Sequence, residues 1–119
     1  MSIKDEILDD RVQLMVADCH NSDERAMAWF YYVAEEISYP FQAKCISEIH
    51  SSPLLKDEPV EVKDIASAEA CEHAIFVQIS WKNRSLAVPL EQLQGIDVSE
   101  VTQTVIEDWH YWANQGYSF

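Results

Sequence analysis

Asp and Glu side chains are the residues in this chain whose type and spacing could do chemistry, and they fall into groups. Asp5, Glu6, Asp9 and Asp10 come first, then Asp18, Asp23 and Glu24, then Glu35 and Glu36. Asp57, Glu58, Glu61 and Asp64 follow, and the last group is Asp97, Glu100, Glu107 and Asp108. Clustered carboxylates are the donors a hard divalent cation takes, and calcium gathers about six to eight oxygens from carboxylates, carbonyls and water. The sequence has no EF-hand loop, because acidic residues never recur at alternate positions ahead of a Gly and a closing Glu. A site made from these groups has to be assembled from separate segments or from a charged face.

Each group also has a reading without a metal. Asp5, Glu6, Asp9 and Asp10 place like charges four residues apart, which weakens a helix and suits a solvated arm. Asp18, Asp23 and Glu24 surround a turn, where they either cap a helix or hold a cation beside free carbonyls. Glu35 and Glu36 fall at the end of a predicted helix, where the dipole disfavours carboxylates and a cation would offset them. Lys56 and Lys63 accompany the group from Asp57 to Asp64 and offer it local ion pairs. Capping accounts for Asp97 and Glu100, whereas Glu107 and Asp108 adjoin Trp109 with no basic neighbour. A carboxylate there needs an Arg from elsewhere in the chain or a metal.

Other chemistries find less support. Cys19 with His20, Cys45 with His50, and Cys71 with His73 are soft-ligand pairs that lack the spacing of structural zinc sites. A cysteine nucleophile from Cys45, His50 and Asp57 has no surrounding motif, and burial as small apolar residues explains the thiols. Gly95 and Gly116 are the two glycines, too few for a phosphate-cradling loop. The chain is not expected to be an enzyme.

The elements that must position these groups read as α+β. Residues 1–21 begin with a charged stretch, a short helix or arm, that leads into an alternation of Val12, Leu14 and Val16 that reads as a strand. Asn21 followed by Glu24 has the form of a capping box. A helix from there carries Ala26, Phe30, Val33 and Ile37 on its apolar stripe, with Met27, Tyr31 and Ala34 beside them, and ends near Ile37 ahead of Pro40. Period-two patterns over residues 60–63, 75–81 and 86–90, with a turn at Lys82 and Asn83, predict an antiparallel meander. Pro89, Leu90 and Leu93 supply a short turn that closes a small SH3-like barrel. Asp97 with Glu100 caps a last helix whose stripe is Val101, Val105, Trp109 and Trp112, ended by Gly116. The expectation is a small antiparallel SH3-like meander packed with an N-terminal and a C-terminal helix, as one acidic domain over residues 1–119.

The net charge of −13 repels nucleic acids and anionic membranes and concentrates cations. Beyond Arg84 the sequence contains no Lys or Arg. Four Trp, five Tyr and four Phe supply a core, and base stacking by the runs Trp29–Tyr32 and Trp109–Trp112 is disfavoured by the same field. Three cysteines without paired spacing and a charged N-terminus point to a reducing cytoplasm.

Several motifs in order carry a family resemblance: Asp23-Glu-Arg-Ala-Met-Ala-Trp-Phe-Tyr-Tyr, Tyr39-Pro-Phe-Gln-Ala-Lys-Cys45, Cys71-Glu-His, Arg84-Ser-Leu-Ala-Val-Pro-Leu, and Ile106-Glu-Asp-Trp-His-Tyr-Trp with Gly116-Tyr-Ser-Phe. Together they resemble the bacterial calcium-binding protein family that includes a cyanobacterial restrainer of heterocyst differentiation. The resemblance implies a cytoplasmic protein that holds Ca2+ without EF-hands, lowers the free ion, and releases it when removed or degraded, with a regulatory protein or protease as partner. Asp23, Glu24, Glu107 and Asp108 match the family motifs, and charge reasoning adds Asp18, Glu35 and Glu36. These seven are the candidate metal ligands. The alternative is an acidic interaction module, or a decoy that presents carboxylates in place of nucleic-acid phosphates.

Overall fold

The structure, a computed structural model, describes residues 3–17, 19–49 and 52–114. Asp18, His50 and Gly116, invoked above, lie outside them, as does the Gly116-Tyr-Ser-Phe ending. The chain is α+β, with three helices and a five-stranded antiparallel sheet.

The first helix, α1 (Ile3–Val16), replaces the predicted strand. Val12 and Val16 are both buried, four residues apart, while Leu14 between them is 78% exposed. One face of a helix repeats every three to four residues, so Val12 and Val16 share the buried face while Leu14, two residues from each, points away. The second helix, α2 (Ser22–Glu36), begins at Asn21, whose side chain accepts from the Glu24 N–H at 2.9 Å. Glu24 returns a bond to the N–H of His20 at 2.6 Å, one residue earlier than a capping box requires. Its buried row is Ala26, Trp29 and Val33, continued by Ile37. Met27 and Tyr31, predicted beside that row, stand exposed.

The sheet comprises β1 (Phe41–Cys45), β2 (Pro59–Ile65), β3 (Phe76–Trp81), β4 (Arg84–Pro89) and β5 (Leu93–Ile96), in the order β4-β3-β2-β1-β5. Val60, Val62, Val77, Ile79 and Val88 point inward as the period-two pattern predicts. Lys82 and Asn83, at φ 48° and 64°, form the two-residue hairpin turn between β3 and β4, where Trp81 faces Arg84. A single 3-10 turn, Leu90–Gln92, joins β4 to β5 at the opposite edge of the strand order. In a flat sheet those edges lie four spacings apart, roughly 19 Å. A 3-10 turn advances about 2 Å per residue, so the sheet must curl to bring its edges together.

The last helix, α3 (Glu100–Asn114), is capped by Ser99, whose hydroxyl accepts from the Thr102 N–H at 3.2 Å. Asp97, the predicted cap, is instead an exposed turn residue at φ 52°. The predicted stripe is buried at Val105, Trp109 and Trp112 but not at Val101, which is 53% exposed. Helix α3 packs on α1, α2, the 3-10 turn and β5. At the junction with α2, Trp29 meets Trp109 edge-on at 5.1 Å between centroids and Trp112 at 5.6 Å. Such aromatic pairs add roughly 0.5–1.5 kcal/mol each beyond their buried area. Among the described residues no helix is long and apolar enough to cross a membrane.

Candidate metal centre

The most sheltered carboxylate belongs to the fold. Asp108 is fully buried in α3. Its two oxygens receive the Arg11 Nε at 3.0 Å each, the Arg11 Nη2 at 2.6 Å and the Tyr32 hydroxyl at 2.6 Å. These bonds join α1, α2 and α3 around one charge. The bond to Asp108 raises the Arg11 guanidinium above its usual value, and burial, then the bond to Asp108, raises the Tyr32 phenol. The Arg foreseen for Asp108 is supplied by Arg11.

The other candidates spread over the molecule. Glu107 is half-buried and accepts from the Gln103 amide at 3.2 Å. Asp23 and Glu24 stand exposed in the first turn of α2, and Glu35 and Glu36 stand exposed in its last turn. Twelve residues of helix put roughly 18 Å between those ends, too far for one ion. Asp18 lies outside the described residues. Of the ion pairs anticipated in the group from Asp57 to Asp64, Lys63 instead reaches the Ser85 hydroxyl at 3.3 Å, and Glu58 accepts from the Trp81 indole at 3.2 Å.

Two carboxylates that sequence adjacency did not bring forward stand near Asp23. The loop after β2 folds around Cys71, which is buried and whose N–H donates to the Ser67 and Ala68 carbonyls at 3.1 and 3.2 Å. Its sulfur accepts from the Phe76 N–H at 3.4 Å, and burial raises the thiol above its usual value. With Cys71 tied inward, Glu69 and Glu72 remain exposed. They line a cleft of about 320 Å³ with Asp23, over a floor of Ala26, Met27 and Phe30. The available signal was Glu72 within the Cys71-Glu-His motif. What hid it was a separation of more than forty residues from Asp23.

Among the described residues, no three His, Cys, Asp or Glu side chains converge closely enough to enclose a metal ion. The cleft offers oxygen donors at an open surface, and its thiol is turned into the backbone. That donor set fits a hard cation completed by water, as calcium accepts in its flexible coordination, and does not fit zinc. Of the soft-ligand pairs, Cys45 and Cys71 are buried, Cys19 is half-buried, His20 and His73 are exposed, and His50 lies outside the described residues.

The comparisons with known proteins follow the same chemistry. The sequence model of the CcbP family, described as calcium binding, matches residues 10–113. A solved structure described as a calcium binding protein in the calcium-binding form superposes with a TM-score of 0.84 at 28% identity, covering 100% of both chains. The crystal structure of Anabaena CcbP superposes with a TM-score of 0.82 at 28% identity, covering 96% of this chain and 94% of that one. No curated protein sequence matches the chain. With most of its length inside the family match, the chain belongs to the CcbP family of calcium-binding proteins.

Proposed function

We propose that this protein binds Ca2+ through surface carboxylates and buffers the free ion in the cytoplasm, acting as one acidic domain over residues 1–119 and not as an enzyme. The observation that carries this reading is the family match, joined to a cleft lined by Asp23, Glu69 and Glu72. These three carboxylates share one cleft without converging on a common point, so holding calcium there requires the exposed side chains to turn inward around the ion, with water completing its shell. Glu24 supplies a further oxygen at the same end of α2, Asp18 stays a candidate on the sequence alone, and Glu35, Glu36 and Glu107 add to the field that draws the ion in. Asp108 is assigned to the fold, since Arg11 and Tyr32 occupy its oxygens. An open site of exposed carboxylates suits exchange, and it favours calcium over magnesium, which gives up its water reluctantly.

The curled sheet is read as an SH3-like barrel, supported by the strand order and by the 3-10 link between its edges. Restraint of a calcium-dependent differentiation, with release by a regulatory protein or protease, is the biological use that the resemblance suggests. The test of the binding claim is a calorimetric calcium titration of chelator-treated protein in physiological salt and millimolar magnesium. Saturable heats that persist in magnesium support it. Nonsaturating heats abolished by salt would leave a solvated acidic surface, the decoy reading.

A further inference from the structure

The apolar stripe of α3 runs past the edge of the core. Val105, Trp109 and Trp112 are covered, yet Val101, one turn earlier on the same face, is 53% exposed. It lies in a groove of about 310 Å³ between α2 and α3, lined also by Tyr32, Thr104, Val105 and two carboxylates, Glu36 and Glu100. The Tyr32 ring is fixed in place by its hydroxyl bond to Asp108. The groove thus brings Val101, Val105 and the Tyr32 ring together with two carboxylates.

The one Lys or Arg of these two helices, Arg25, stands in the first turn of α2, far from these carboxylates, and the Arg11 guanidinium behind Tyr32 is paired with Asp108. Helix α2 has no basic residue in its last turn, where Glu35 and Glu36 add to the negative end of the dipole. Helix α3 contains no Lys or Arg, and Glu100 stands in its first turn. A second copy of a chain bearing −13 is repelled from this face, and so are nucleic acid and anionic lipid. A segment with an apolar side chain flanked by Lys or Arg complements both the apolar side chains and the carboxylates.

We infer that the groove between α2 and α3 is a docking surface for a basic amphipathic segment of another protein. An apolar side chain of the partner covers Val101 against Val105 and the Tyr32 ring, while its cationic groups meet Glu36 and Glu100. A groove of this size takes a short segment, so the complex is transient and not permanent.

The test uses the full chain, in chelator and near-physiological salt, titrated into a fluorescein-labelled peptide of Lys and Leu whose leucines fall on one helical face. A peptide of identical composition with its leucines dispersed is the control. Saturable binding is expected for the first peptide. Val101→Asn and Glu100→Lys should each weaken it about fivefold or more, because both remove contacts at the complementary patch. Glu61→Lys makes the same charge change at an exposed position of β2 and should weaken it less than about twofold, the general field being screened by salt. Amide shifts should change at Val101, Thr104 and Tyr32. Equal binding of the two peptides, equal loss in Glu61→Lys and Glu100→Lys, or shifts that avoid the groove would each overturn the assignment. Because calcium is withheld, failure here leaves the calcium reading untouched, and failure of the calcium titration leaves this one.

Discussion

Asp108 shows how much of the fold hangs on one residue. A fully buried carboxylate is tolerable only when its oxygens are paired, and here an Arg from α1 and a Tyr from α2 pair them. Arg11→Met leaves the carboxylate buried without its cation and should cost about 3–5 kcal/mol in urea unfolding at neutral pH. Asp108→Asn frees Arg11, which is already 37% exposed and can turn to water, so it should cost less, about 2 kcal/mol. Equal losses, or a smaller loss for Arg11→Met, would contradict this ordering. The need for a partner at Asp108 was legible in the sequence. The partner's identity was not, since 97 residues separate Arg11 from Asp108 and only the docking of α1 on α3 brings them together.

His110 gives a second prediction at this scale. Burial lowers its imidazole below the ordinary 6.5, against the opposing pull of backbone groups of Leu93 and Leu90 and of Glu91 and Glu107. As pH falls, the unfolded chain takes up this proton before the folded one. The contribution to stability is therefore kept above 6.5 and lost as pH falls below it. Between about pH 7.5 and about pH 5, the urea midpoint of the wild type should drop further than that of His110→Gln. Parallel drops would remove His110 from the account.

At the scale of elements, close packing decides where helix meets sheet. Gly95 in β5 lies beneath α3, and a Cβ there would stand 2.9 Å from Val98 Cγ2 and 3.3 Å from Ile106 Cδ1. Gly95→Ala should therefore cost about 1–3 kcal/mol through overpacking, read as a lowered melting temperature. A neutral result would mean that α3 can lift from β5. Strands β2, β3 and β4 and the hairpin between the last two were readable because alternation and a Lys82-Asn83 turn are local signals, whereas β5 is too short to show a period and Leu93 reads as part of a turn. The first helix was misread because three apolar residues at even spacing fit a strand as well as a helix. Asp97 and Ser99 carry Glu100 and Thr102 at the same three-residue spacing, so pattern alone does not separate them as caps, and the backbone does.

For the whole molecule, the net charge of −13 is a standing cost of self-repulsion that bound cations relieve. Calcium at about 100 times its dissociation constant should stabilise the folded state by about 2.7 kcal/mol. For a chain of this length that is a rise of roughly 10 °C in melting temperature. An unchanged melting temperature under calcium saturation would exclude a site that exists only in the folded state. Charge and family motifs made the ion legible in the sequence. The cleft was not legible, because Asp23 and the Glu69–Glu72 loop become neighbours only through the burial of Cys71 and the packing of α2.

The central claim is that calcium is held at that cleft, and the most direct measurement is the calorimetric calcium titration repeated on two charge-matched proteins. One carries Asp23→Asn, Glu69→Gln and Glu72→Gln, and the other carries Glu48→Gln, Glu61→Gln and Asp64→Asn on exposed positions elsewhere. Loss of saturable binding in the first, with affinity kept within about threefold in the second, is the predicted result. Saturable binding that survives in the first protein, or falls equally in both, would contradict it.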